Sequence, residues 1–375
     1  MRLIWYIVIF FIAYGSLYPF NFDLSRQIPD DLMAWLLNWE QRTIRSDVIA
    51  NVLLFIPFGF FGALTIQQET RRYPLLSIVL MLLGGVVFAS LLQLLQFYLP
   101  SRVPHAADAT INSIGILIGI ALAAYTNSQR INRLIPERLR FRLTPALVVL
   151  VLWLGWQFFP YIPVFEGKQF GKGLSGIVNS QWSLHTWLLN LLFWLVFFYV
   201  LQRVVQKSYR LGLLIALSVF ILIIKLSMFR SQLGWSELSS VPLALLIHQL
   251  TSERLRSILI ALGALMALLW QNLYPWQWQQ ELNGFQWVPF KGFLQGSTWY
   301  NLSTLLRESL LLASIAYFFG RWLNSYRTSA AILFLTVVLM TGLQLCLSGK
   351  QPDITTLIMA LVIGILIERL SKLRL

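Results

Sequence analysis

The chain has 375 residues, of which 57% are hydrophobic and only 12% are charged, and its mean hydropathy is +0.68. A soluble domain carries about 25% charged residues, so this composition excludes a soluble globular protein. The net charge of +14 would suit a nucleic-acid-binding protein, but the basic residues lie in short loops between apolar runs, as in membrane proteins.

Apolar runs close to the length of a membrane-spanning helix recur along the whole chain. Only helices and closed barrels satisfy their backbone in lipid, and barrel strands would alternate polar and apolar residues, which these runs do not. The sequence therefore predicts an all-α polytopic transmembrane bundle of about twelve spans. The predicted spans are 3–17, 47–66, 74–98, 106–125, 145–159, 184–203, 210–229, 238–252, 256–273, 303–322, 329–347 and 354–371.

The distribution of Lys and Arg predicts the orientation. If the N-terminus lies inside, every predicted cytoplasmic segment is basic and most of the 29 Lys and Arg residues fall on that side. No small-residue cleavage site follows residues 3–17, so they are expected to be a retained span and not a signal peptide. We expect a multi-pass protein of the plasma (inner) membrane with both termini in the cytoplasm.

Similar segments at three places predict an internal repeat. The first, fifth and ninth spans end in "GSLYPFNFD", "WQFFPYIPVF" and "WQNLYPWQWQ", and each is followed by a long outside loop and three more spans. We interpret residues 1–125 as the first four-helix unit, 126–144 as a basic cytoplasmic linker, 145–255 as a degenerate second unit and 256–375 as a third. Pairing the first and third units, with a three-residue gap, aligns Asp108 with Asp353 and Gln96 with Gln344.

The outside loops after the first and ninth spans are rich in tryptophan, which prefers the headgroup level of a bilayer. They are expected to lie on the outer membrane surface as short interfacial helices. The amphipathic stretch from Asp31 to Trp39 is the predicted helix of the first loop.

Polar side chains occur at the outer ends of the second, third and fourth spans and in the turn between the last two. Helical spacing places them on common faces: Asp47 and Asn51 are four residues apart, as are Asp108 and Asn112. Ionised groups in hydrocarbon cost about 2.5–3.5 kcal/mol even on insertion-based scales, so they usually face partners or water. The predicted ligand-binding residues are Asp47, Asn51, Gln93, Gln96, Arg102, Asp108 and Asn112.

Structural roles are open for the same residues. Asp47 and Asp108 can cap helices, whereas Gln93 and Gln96 can hydrogen-bond between helices. Asn51 can serve packing alone. The small residues Gly115 and Gly119 on the face of Asp108 predict a close approach by another helix.

Other chemistry is sparse. A single cysteine, Cys346, excludes an internal disulfide, and His105, His185 and His248 have no matching ligand set, so no metal and no cofactor is predicted. No phosphate loop or nucleophile elbow occurs, and a catalytic residue is not identified. Lys225, Arg307 and Glu308 are charges within predicted spans and are further site candidates.

The stretches "RSDVIANVLLFIPFGFFGAL" and "SLLQLLQFYLPSRVPHAADATINSIGILIG" resemble the VanZ-like membrane protein family over residues 1–125, with a faint recurrence in 257–372. Gln93 stands where the family usually has Glu, and Leu357 stands where the third unit would carry Asn. The resemblance implies a cell-envelope membrane protein, since name-giving members are associated with reduced sensitivity to glycopeptide antibiotics, especially teicoplanin. The family pattern falls on Asp47, Asn51, Pro57, Gly59, Gln96, Arg102, Asp108, Asn112, Gly115 and Gly119.

Three functions are compatible with these features. The first is a non-catalytic envelope protein that binds a polar headgroup or a lipid-linked envelope precursor in the outer leaflet. The second is an enzyme that modifies an envelope lipid or surface glycan, with Asp108 or Asp47 as base and Arg102 stabilising charge. The third is a transporter, because carriers often contain repeats. Membrane lipids or their precursors are the expected partners, nucleic acid is not, and the oligomeric state is open.

Overall fold

The fold is built from helices. The computed structural model describes residues 2–26, 45–69, 74–101, 104, 106–127, 144–179, 182–205, 211–229, 232–294 and 298–372. Within these ranges the chain forms fourteen helices, and its extended pairing is limited to three isolated β-bridges. An all-α fold agrees with the prediction.

The chain divides into two compact units, Met1–Arg140 and Phe141–Leu375. The helices of the first unit are α1 (Arg2–Leu17), α2 (Arg45–Glu69), α3 (Pro74–Gln96) and α4 (Ala106–Asn127). Those of the second unit are α5 (Pro145–Phe158), α6 (Gly167–Asn179), α7 (Leu184–Val205), α8 (Leu211–Ser227), α9 (Trp235–Leu250), α10 (Glu253–Leu273), α11 (Lys291–Leu294), α12 (Thr298–Leu323), α13 (Tyr326–Gln344) and α14 (Ile354–Lys372).

The helices have the length and composition of membrane spans. Among the described residues, 7 helices are long and apolar enough to cross a membrane, and four shorter apolar helices coincide with further predicted spans. The remaining predicted span, 238–252, lies in α9, which is not in either group. The protein is therefore a multi-pass membrane protein, while the number of twelve spans stays a prediction.

In the first unit, α4 packs directly on the backbone of α2. A Cβ atom added to Gly119 would lie 2.2 Å from the carbonyl oxygen of Ile56, and one on Gly115 would lie 2.4 Å from that of Val52. Gly59 on α2 meets the backbone of α4 in the same way, at 2.1 Å. The predicted glycine face thus lets two helix backbones touch, because no side chain separates them.

The remaining helices of this unit surround that contact. Helix α3 packs on α2 and α4, and α1 packs on α2 and α3. Phe55, Phe58 and Ile116 are buried at the centre. The ring of Phe58 stacks on that of Phe88 at 6.0 Å. Aromatic rings therefore fill the space that the glycine contact leaves on the side of α3.

In the second unit, α12 is the central helix. It packs against α5, α10, α13 and α14, and residues 310–319 are buried on all sides. A second buried run, 192–200 in α7, packs on α5 through Trp153, whose ring stacks on Phe197 at 4.3 Å. Helices that are apolar and buried all round, as α12 is here, belong to the interior of a large bundle.

The loops differ in part from expectation. Helix α6 lies in the loop after the fifth predicted span, where no helix was predicted. In the loop after the ninth span, residues 276–290 are not helical and only the single turn α11 follows, so the predicted interfacial helix is not formed there. The segment from Asp31 to Trp39 and most of the linker 126–144 lie outside the described residues.

The glycine contact yields a test of the first unit. Gly119→Ala should lower the free energy of unfolding by about 1–3 kcal/mol, because the added methyl group meets backbone that cannot move aside. Gly84→Ala is the matched control, since a Cβ atom there has nothing within 4 Å. Thermal and denaturant unfolding in detergent would measure both, and equal stabilities would contradict the close contact.

Candidate functional site

The structure places the predicted site residues on three helices of the first unit. Asn51 lies on α2 and is half-buried; Asp47 lies in the first turn of the same helix. Gln93 and Gln96 are in the last turn of α3, and Asp108 and Asn112 follow the start of α4. Arg102 lies outside the described residues, as does His105.

Two amides are buried in this region. Gln93 is 5% exposed and Asn112 is 4% exposed, on helices that pack against each other. The Oε1 atom of Gln93 and the Oδ1 atom of Asn112 have no hydrogen-bond partner among the described residues. A buried polar atom without a partner costs about 1–3 kcal/mol, and a carbonyl oxygen can be satisfied only by a donor. These two oxygens can therefore accept a hydrogen bond from a group that carries N–H or O–H.

Gln96 has a different role from its neighbour. Its Nε2 atom donates to the carbonyl oxygen of Ser16 at 2.9 Å and joins the end of α3 to the last turn of α1. Asp108 is half-buried in the first turn of α4, where the helix dipole favours a carboxylate. Of the seven predicted residues, Gln93 and Asn112 present open acceptors, whereas Gln96 holds two helices together.

The loop after α1 adds a cation that the sequence did not single out. The backbone N–H of Asp23 donates to the carbonyl oxygen of Tyr98 at 2.7 Å, and Arg26 donates through Nη1 to that of Leu99 at 3.3 Å. Hydrogen bonds from Ser25 lower the pKa of Asp23, so its carboxylate stays ionised. The loop thus brings Arg26 to the first residues of the turn between α3 and α4, the turn in which Arg102 is predicted.

The second unit contains a buried ion pair. Glu237 on α9 accepts a hydrogen bond from Nζ of Lys225 at 2.6 Å and one from Nε2 of Gln157 at 2.8 Å. The Lys225 ammonium also lies 5.8 Å from the ring centre of Trp156. The sequence identified Lys225 as an intramembrane charge but missed Glu237, which precedes the predicted span by one residue. Its position in the first turn of α9, like that of Asp108 in α4, was the available signal.

A second polar group lies around α12. Oε2 of Glu308 and Nε of Arg307 are buried without a hydrogen-bond partner among the described residues, as is Nε2 of His185. Glu308 interacts electrostatically with both Arg307 and Asp353. The ring of His185 stacks on Trp270 at 6.0 Å. Arg307 also interacts electrostatically with His185, so these adjacent charges have different further neighbours, His185 for Arg307 and Asp353 for Glu308.

The comparisons with known proteins found one family similarity, which lies in the first unit. The VanZ/LLP1 family model matches residues 2–127, which span α1 to α4. This part of the chain is VanZ-like. No curated protein and no solved structure matches the chain. The buried amides thus lie inside the VanZ-like region, and the faint resemblance of 257–372 stays a prediction.

The buried ion pair of the second unit provides a second test. Lys225→Met should destabilise the protein by about 3–5 kcal/mol, because it leaves the Glu237 carboxylate buried without its cation. The double variant Lys225→Met/Glu237→Leu should lose less than the sum of the single variants, since the two side chains are coupled. Lys372→Met, which breaks an exposed pair with Glu368, should change stability by less than about 0.5 kcal/mol.

Unfolding in detergent would measure the wild type, Lys225→Met, Glu237→Leu, the double variant and Lys372→Met. Additive effects of the two single substitutions would contradict a direct interaction between Lys225 and Glu237.

Proposed function

We propose that this VanZ-like protein of the cell envelope binds a polar headgroup, either of a lipid or of a lipid-linked envelope precursor, in the outer leaflet. The observation that carries the proposal is the pair of buried acceptor oxygens on Gln93 and Asn112. In hydrocarbon no water is available to such atoms, so hydroxyl or amide N–H groups of a ligand would stabilise them. Sugars and peptides supply these donors.

Charged groups support the same ligand class. Arg26 lies at the turn between α3 and α4, and Arg102 is predicted in that turn. A phosphate that links a headgroup to its lipid would interact favourably with both guanidinium groups. Asp108, Asp47 and Asn51 would then contact polar groups of the headgroup, and Gln96 would position α1 beside them. The family resemblance further supports a role in reduced sensitivity to glycopeptides such as teicoplanin.

The proposed orientation places this site beneath the outer face of the plasma membrane, with both termini in the cytoplasm. Basic residues support it: the described C-terminal ends of α12 and α14 carry Arg321, Arg369 and Lys372. Basic residues accumulate on the cytoplasmic side of membrane proteins. The ends of α3 and the start of α4 then lie outside.

We also propose that the chain consists of three four-helix repeats, 1–125, 145–255 and 256–375. Three equivalent hydrogen bonds support it, each from the fourth residue after a proline to a carbonyl oxygen at the end of the third long helix or in the turn that follows it. A carboxylate also stands at the start of the fourth helix each time, as Asp108, Glu237 and Asp353. The bonds are Asp23 N to Tyr98 O at 2.7 Å, Val164 N to Ser227 O at 2.7 Å and Gln279 N to Cys346 O at 3.0 Å.

Binding to purified protein in nanodiscs tests the proposed site. The probes are a lipid-linked disaccharide–peptide precursor and the bare polyprenyl phosphate, with affinity read by native mass spectrometry. Asn112→Leu and Gln93→Leu should each weaken precursor binding about tenfold, since a hydrogen bond to a buried acceptor is lost. Protein stability should stay the same or rise, because the unsatisfied oxygen is gone.

Ser113→Ala is the control on the same helix, since the Ser113 hydroxyl donates to the carbonyl oxygen of Ala109 within α4 at 2.7 Å. It should bind like the wild type. Equal affinity for the precursor in all variants, or equal affinity of the wild type for both probes, would contradict the site.

A lipid analysis separates binding from catalysis. Cells that express the wild type and cells that express Asp108→Asn should have the same envelope lipids and surface glycans, because a binding protein converts nothing. Mass spectrometry of total lipid extracts would measure this. A product present only with the wild type would show an enzyme with Asp108 in its active site.

A further inference from the structure

Basic residues collect at one end of the second unit, where α7, α12 and α14 end and α10 and α13 begin. The cations described there outnumber the carboxylates, which are Glu253 and Glu368. An excess of positive charge at one place favours the binding of an anion. The cations are Arg203, Arg254, Arg256, Arg321, Arg327, Arg369 and Lys372.

Several of these groups converge on one carboxylate. Arg203 and Arg321 both form ion pairs with Oε1 of Glu253, although they come from different helices. The hydroxyl of Tyr199 donates to the same oxygen at 3.1 Å, and Ser257 donates to that hydroxyl at 3.1 Å. Glu253 therefore serves two guanidinium groups and a phenol at once.

A third guanidinium belongs to the same cluster. Arg256 follows Glu253 by three residues on α10 and is close enough to Arg203 for the two charges to repel each other. Its Nη1 atom lies 2.8 Å from Nδ1 of His248, a side chain that is 2% exposed. The cluster of Arg203, Arg256 and Arg321 thus holds three positive charges against the single charge of Glu253.

Donors in this cluster lack acceptors. The Nε atoms of Arg256 and Arg321 are both buried and have no hydrogen-bond partner among the described residues. A network that served only to join helices would pair each buried guanidinium N–H with an oxygen, because an unmade bond of a charged group is costly. The surplus charge and the unpaired Nε donors both favour the binding of an additional anion.

We propose that the arginine cluster of Arg203, Arg256 and Arg321 binds a phosphate group, that of an anionic membrane phospholipid in the cytoplasmic leaflet. Guanidinium groups match phosphate oxygens in geometry and stay charged at every physiological pH. The cluster lies at the ends of membrane helices, where headgroups are found, and basic pockets between such helices suit anionic lipids. The rings of Tyr317 and Tyr326 stack on each other beside the cluster, with their centres 6.3 Å apart. Tyrosine is enriched at the headgroup level of a membrane.

This site is separate from the proposed headgroup site. It belongs to the second unit, its guanidinium groups surround one carboxylate, and its ligand needs no sugar or peptide. Its failure would leave the proposed function of the VanZ-like region unchanged.

Native mass spectrometry of the full chain in detergent tests the proposal, at about 0.15 M salt to screen exposed charges. Phosphatidylglycerol should bind at least about tenfold more tightly than phosphatidylcholine, and Arg256→Gln/Arg321→Gln should abolish that preference. Arg369→Gln removes one exposed charge from the same end of the unit and should retain the preference. Equal binding of the two lipids to the wild type would overturn the proposal.

A second variant and a second ligand source complete the experiment. Glu253→Gln should strengthen phosphatidylglycerol binding, since it removes the competing carboxylate; weaker binding would overturn the role of charge.

Thermal unfolding in inorganic phosphate and in chloride at equal ionic strength distinguishes a lipid headgroup from free phosphate as the ligand. Stabilisation by phosphate that the double variant abolishes would assign free phosphate to the site, whereas lipid binding alone assigns the headgroup.

Discussion

Inside a membrane, a polar group has only the protein or a ligand to bind, because hydrocarbon offers no hydrogen bonds. In the second unit, the carboxylate of Glu237 meets this constraint within the protein, because it accepts from Lys225 and Gln157 and is buried. The VanZ-like unit does not, since the oxygens of Gln93 and Asn112 have no partner among the described residues. These two acceptors, on helices that pack against each other, support the proposed ligand site in the first unit.

Close backbone packing gives that site its frame. Gly115 and Gly119 bring α4 onto α2, which fixes the start of α4 and therefore the depth of Asp108 and Asn112. Gln96 fixes the end of α3 by its bond to Ser16, and the loop after α1 binds the adjoining turn through Asp23. Polar side chains on three helices are thus held by contacts that do not themselves include a ligand.

The two proposed sites present different chemistry. Amides and a carboxylate characterise the VanZ-like site, whereas three guanidinium groups around Glu253 characterise the arginine cluster of the second unit. Amide oxygens select hydrogen-bond donors, and guanidinium groups select anions. A protein with both sites would contact lipids in two distinct ways, one through the hydrogen-bond donors of a headgroup and one through charge alone.

The sequence by itself determined the helical class and the position of every long helix, because a run of apolar residues in lipid has almost no alternative to a helix. It also determined the glycine face of α4, which depends on spacing along one helix. Only the tertiary structure decided that Gln96 binds α1, that Glu237 pairs with Lys225 and that Arg203, Arg256 and Arg321 share one site. Those partners lie on different helices, and helical periodicity fixes the face of a residue but not which neighbouring helix that face meets.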